Sequence, residues 1–268
     1  MPRPALRRAL RAPVLCAAAL VTVSACSGTY LEMGDPQSAG PSASRTAPSA
    51  SGTGRPASPS PEASPALTAA QAQAALVTSA DLGWPWEPTR GAATWRDGLL
   101  KATTPQADCR RLLDALYADE LLGPSARAVI GLDDTDSGAQ LHYQVVERSP
   151  AEVDRTLAWM RTLPRTCARF PARTVREGVQ TVQVADAPLP AVGDARQGLR
   201  VTLTGPADPD TGVSTVLVLD VAVVRVGVDA LAVTTGGFDQ VPAQATQAAV
   251  QLGAQRLAEV RKQGRADV

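Results

Sequence analysis

The side chains able to carry chemistry are few. His142 is the sole histidine, in Leu141-His142-Tyr143-Gln144-Val145, where strand alternation puts it on one face with Gln144. A hydroxyl or thiol nucleophile generally needs an adjacent base. A lone His outlines no triad, and neither Lys101 nor Lys262 stands in a Ser-x-x-Lys arrangement. His142 therefore reads as a polar residue on a strand face. Asp133, Asp134 and Asp136 would suit a hard cation, but the twelve-residue calcium loop and its closing Glu are missing, so a solvated hairpin turn is the better reading. Clustered His and Cys for zinc are lacking, and so is the phosphate-cradling Gly-x-x-x-x-Gly-Lys. The residues nominate no cofactor, no metal and no enzyme. A hydrolase working through two carboxylates stays open, with Asp114, Glu120 and Asp220 among the candidates, because separation across a fold is not legible in a sequence.

Aromatic residues are scarce, and three of the four Trp fall close together as Trp84-Pro85-Trp86 and Trp95. They either line a ligand cleft or cap the core at a helix-to-strand junction. Asp220 interrupts a strand face made of Val216, Val218, Ala222 and Val224, so it lies at the open edge of that face or is paired.

The N-terminus supplies an address. Arg3, Arg7, Arg8 and Arg11 precede the uncharged, mostly apolar stretch Ala12 to Ala25, which is too short to span a bilayer and has the form of a signal peptide over residues 1–25. It ends in Val23-Ser24-Ala25-Cys26, which resembles the bacterial lipobox. That resemblance implies cleavage before Cys26 and its lipidation, which would tether the mature chain to the outer face of the cytoplasmic membrane. The membrane is then a partner through the anchor alone. Cleavage leaves 22 basic against 26 acidic residues, a balance that speaks against nucleic acid. Residues 26–66 follow as a stalk: from Pro36 to Pro65, 26 of 30 positions are Pro, Ser, Ala, Gly or Thr. Such a composition is expected to stay disordered or extended, as a spacer into the cell wall.

Residues 67–268 read as one α+β domain, a mostly antiparallel sheet with helices packed on it. Helices are expected from Leu67 to Val77, from Gln106 to Leu122, from the capping box at Ser149-Pro150-Ala151-Glu152 to about Leu163, and from Pro242 onward. A hairpin joins Arg127–Leu132 to Gln140–Glu147, and further strands fall at Val175–Val184, Leu199–Thr204, Ser214–Val226 and Ala230–Thr235. The run Val213–Val228 is β-branched and carries Asp220 and Arg225, which makes it a long buried strand and not a membrane helix. With Cys16 removed and Cys26 lipidated, Cys109 and Cys167 remain in an exported domain and are expected to pair. The bond would close a loop of about 60 residues, worth about 4 kcal/mol in chain entropy.

Several marks together resemble a known kind of domain. These are Leu76-Val77-Thr78-Ser79-Ala80-Asp81-Leu82-Gly83-Trp84 closing the first helix, Asp108-Cys109 opening the next, and Ala158-Trp159-Met160 with Leu163 leading to Cys167-Ala168-Arg169-Phe170. The pattern resembles the sensor-like domains of actinobacterial envelope lipoproteins and the extracellular sensor domains of mycobacterial serine/threonine kinases of the PknH type. The resemblance implies an antiparallel sheet with helices on one side and a cleft for an envelope ligand. It departs in having only two domain cysteines and no attached kinase. The expectation is a non-catalytic lipoprotein that binds a small envelope ligand, with docking of another envelope protein as the alternative.

Overall fold

The computed structural model describes residues 66–91, 95–176 and 178–266. The signal segment, Cys26 and the stalk up to residue 65 lie outside the described residues. The chain divides into two units, residues 1–58 and 59–268, and the described residues belong to the second.

Thr68 opens α1 (Ala69–Ala74) through a reciprocal capping box with Gln71. The short α2 (Ser79–Leu82) leads to strand β1 (Trp86–Pro88), a π-helical turn at Arg96–Leu100 and the two-residue β2 (Ala102–Thr103). Next come α3 (Ala107–Tyr117), the hairpin β3 (Ala128–Asp134) and β4 (Gln140–Glu147), and α4 (Pro150–Thr166). Ser149 and Glu152 cap α4 as the sequence predicts, with Pro150 in the first turn. The chain then runs through β5 (Arg169–Thr174), β6 (Val179–Asp186), β7 (Ala195–Ala207), β8 (Ser214–Val226), β9 (Asp229–Phe238) and α5 (Ala243–Ala266).

All nine strands form one sheet in the order β1-β3-β4-β9-β8-β7-β6-β5-β2, every pairing antiparallel. Alternation along the strands sends side chains into two separate buried layers. In one, Leu217, Leu219 and Val221 of β8 meet Leu112 of α3 and Leu157 of α4. In the other, Ala222 and Val224 join Tyr143 of β4, Ala72 of α1 and Leu257 of α5. Helices thus cover both faces of the sheet, not the single side that the resemblance implied. Burial on both faces is also why β8 is almost unbroken in its hydrophobicity. No helix among the described residues is long and apolar enough to cross a membrane.

Cys109 and Cys167 are bonded, with their Cα atoms 5.6 Å apart, tying the first turn of α3 to the end of α4. Two further expectations are corrected. Helix α3 stops at Tyr117 because Asp119 takes a left-handed φ of 56°, and Leu121 and Leu122 reach the core from the loop beyond. The strand expected over Val175–Val184 is β6, which begins at Val179 and pairs with β5, a strand that lies before that range. Strand β5 escapes a sequence reading because Pro171 disfavours a strand interior. Here β2 pairs only at Arg173 and Thr174, so Pro171 lies where one side of β5 carries no ladder.

Candidate ligand-binding site

The tryptophans do not converge on a cleft. Trp84 is 84% exposed, whereas Trp86 is buried in the α1/α5 layer and Trp95 in the α3/α4 layer on the opposite face of the sheet. Trp95 rests on Gly236, where a Cβ would lie 2.7 Å from the indole. Scarcity of aromatic residues had marked them, but two of the three fill core and the third stands apart.

The other sequence candidates serve structure. His142 Nδ1 lies 3.3 Å from Asp119 Oδ1, Arg96 Nη1 donates to the same carboxylate at 2.7 Å, and Gln144 donates to the Asp119 carbonyl. This knot fastens the loop after α3 to the sheet. Asp134 Oδ1 accepts from the Asp136 and Ser137 amides, and Asp133 accepts from Thr89 and Gln140. Those carboxylates shape the β3–β4 hairpin. Among the described residues no group of three His, Cys, Asp or Glu is placed to hold a metal ion. Asp114 is on α3 and Asp220 faces α5, on opposite sides of the sheet.

Asp220 organises a different site. It is 4% exposed, and both of its oxygens accept from Arg200 on β7, Nε and Nη2 each at 2.7 Å. Register explains the pairing. Arg200, Asp220 and Thr235 lie opposite one another on β7, β8 and β9, so a polar row crosses an otherwise apolar layer. Above it, Thr246 of α5 donates to the Thr235 hydroxyl at 2.8 Å. The bidentate fork raises the pKa of Arg200 above its ordinary value, and burial only partly opposes this, so the guanidinium stays charged. Nη1 makes no hydrogen bond among the described residues and remains available as a donor.

The pair forms one wall of a pocket of about 200 Å³ between the sheet, the first turns of α5 and the β6–β7 connection. Pro188 and Leu189 supply apolar walls, Ala243 and Gln247 the helical side, and Asp186 stands with them around the opening. The connection is held down by Gln247, whose amide donates to the Pro188 carbonyl at 3.4 Å. It approaches this closely because residue 198 is Gly. A Cβ there would sit 2.5 Å from the Ala187 carbonyl oxygen and 2.8 Å from Leu189. The pocket's walls are thus mostly apolar, with a few fixed polar groups. Sequence reasoning flagged Asp220 but missed Arg200, Thr246 and Gln247, because cross-strand register and helix docking create their proximity.

No family model matches the sequence, and no curated protein matches it. Among solved structures, the chain is similar to the extracellular domain of PknH from Mycobacterium tuberculosis, at 16% identity and a TM-score of 0.42, over 75% of this chain and 100% of that one.

Proposed function

We propose that the chain is a non-catalytic, extracytoplasmic binding protein, tethered by lipid at Cys26, whose domain binds a small polar ligand between Arg200 and α5. The observation that carries this reading is the Arg200–Asp220 fork opening into an apolar pocket, with Nη1 left to donate. At about 200 Å³ the pocket is smaller than the roughly 300–1,000 Å³ of drug-sized sites. It therefore suits a small molecule or the end group of a larger one. Arg200 and Asp220 cancel, and Asp186 adds a negative charge, which favours a neutral or zwitterionic ligand over an anion. Asp186 and Asp220 both border the pocket, but Asp186 accepts from Gln197 and both oxygens of Asp220 are held by Arg200, so general acid or base work would have to break these bonds.

The test compares native and denatured masses of the exported mature chain with those of Ala243→Phe, which fills the pocket. An extra mass on the wild type, lost in the variant, is the expected result. An extra mass carried equally by both would move the ligand elsewhere.

A bare wild-type chain would favour the second reading, an adaptor that docks another envelope protein. Its support is a row of exposed apolar side chains at one end of the sheet: Trp84, Val175, Val213 and Phe238. The β5–β6 and β7–β8 turns and the end of β9 lie together there by register, and the Pro85 carbonyl accepts from Thr135 in the β3–β4 turn.

A further inference from the structure

The face of the domain opposite α5 carries a second concavity, and its chemistry differs from that of the Arg200 pocket. A groove of about 520 Å³ runs between α3 and α4, lined by Arg111, Arg148, Arg155, Glu152 and Trp159. Beyond Gly123 and Pro124 it adjoins a hollow of about 580 Å³ bordered by the ion pair of Arg127 and Glu147, and Arg148 borders both.

Among the described residues none of Arg111, Arg148 and Arg155 forms an ion pair. Two are nevertheless held in place. Arg148 donates from Nε to the Leu122 carbonyl at 3.0 Å and from Nη2 to the Pro124 carbonyl at 2.8 Å, which fixes the guanidinium without neutralising it. Arg111 stacks 4.0 Å from the centroid of the Trp159 ring, and the Trp159 indole donates to Asp108 at 3.2 Å. Gly123, at φ +86°, leaves the space that Arg148 occupies, since a Cβ there would fall 2.7 Å from Nη2. Two acids face the same space. Glu152 accepts from the Ser149 amide and hydroxyl, which with nearby Arg148 and Arg155 holds its pKa below the ordinary carboxylate value. Both bonds fall on Oε2, so one of its two carboxylate oxygens is engaged in capping α4. Glu120 is exposed and fixes none of the three arginines.

Guanidiniums that form no close ion pair, two of them held in place, suit an oxyanion, since their forks match phosphate and carboxylate geometry. We infer that the α3–α4 groove binds an extended polyanionic chain, a polymer carrying repeated phosphate or carboxylate groups of the kind an envelope glycan bears. Extension is favoured because two hollows meet at Arg148, and a concave surface does not suit a flat bilayer. The chain as a whole is not basic, so attraction at this groove is local and not a property of the net charge. This inference is independent of the Arg200 pocket.

The test is titration calorimetry of the mature chain with synthetic poly(glycerol phosphate), with polygalacturonate, with inorganic pyrophosphate, and with vesicles containing phosphatidylglycerol. The expected result is binding of at least one polymer, weakened steeply by salt, with pyrophosphate and vesicles far weaker. Arg155→Gln, which disturbs no hydrogen bond among the described residues, is expected to lower polymer affinity by about tenfold. Arg148→Gln does the same where it folds. Arg90→Gln alters an exposed arginine remote from the groove and leaves affinity unchanged. Failure of both polymers to bind at low salt overturns the inference, as does an equal loss in Arg90→Gln. Binding to vesicles but to neither polymer overturns it in favour of a lipid surface.

Discussion

Arg200→Met strands a carboxylate that the fold has removed from water. In the native chain Asp220 keeps 5% of its side chain exposed while Arg200 keeps 44%, so the two halves of the pair are unequal. Breaking a fully buried pair costs about 3–5 kcal/mol. Water already screens one partner here, which lowers the expected loss to about 2–3 kcal/mol. Asp220→Asn is gentler. The amide still offers an acceptor and Arg200 can turn toward solvent, so about 1 kcal/mol is expected. Arg200→Met combined with Asp220→Leu removes both charges and is expected within about 1 kcal/mol of wild type. Urea unfolding of residues 59–268 at neutral pH, with the disulfide intact, reads all four proteins on one scale. The reasoning fails if Asp220→Asn is the more damaging single change, or if the double variant loses as much as the sum of the singles.

Gly198→Ala drives a methyl into the Ala187 carbonyl and Leu189. A loss of about 1–3 kcal/mol is expected by thermal unfolding, together with altered amide shifts along residues 186–190. Replacing Cys109 and Cys167 with Ser releases a loop of sequence separation 58 and is expected to cost about 4 kcal/mol in urea midpoint analysis. Asp81 is pushed upward by burial, but hydrogen bonds from Arg256 and Thr78 outweigh this and hold its pKa below the ordinary carboxylate value. Its stabilising contribution is therefore present above about pH 4 and is lost as pH falls through the depressed folded value. Asp81→Asn should lower stability at neutral pH and leave a shallower acid decline, read from unfolding curves between about pH 6 and pH 2.

The sequence carried local structure well wherever a local cause produced it. The Ser149 capping box, the Gln140–Glu147 strand and the long, mostly apolar run of β8 each follow from neighbours in the chain. Legibility ended where distant segments decide. Leu121 and Leu122 extend the apolar stripe of α3 in sequence, yet they pack from a loop because Asp119 breaks the helix. Trp86 and Trp95 are nine positions apart and reach opposite layers, a separation that no local pattern encodes. Asp220 stood out as a charge in a buried strand, but only the β7–β8 register names Arg200 as its partner. Gln247 and Thr246 joined the site through the docking of α5, which no local pattern encodes.

Amide hydrogen exchange on the mature chain tests the central claim most directly. The chain as isolated from the envelope would be compared with the same chain unfolded, dialysed free of small molecules and refolded. The account predicts added protection in the isolated form at residues 186–189, 200, 220 and 243–247, and little change elsewhere. Identical exchange in the two preparations, or protection confined to the turns beside Trp84 and Phe238, would contradict it.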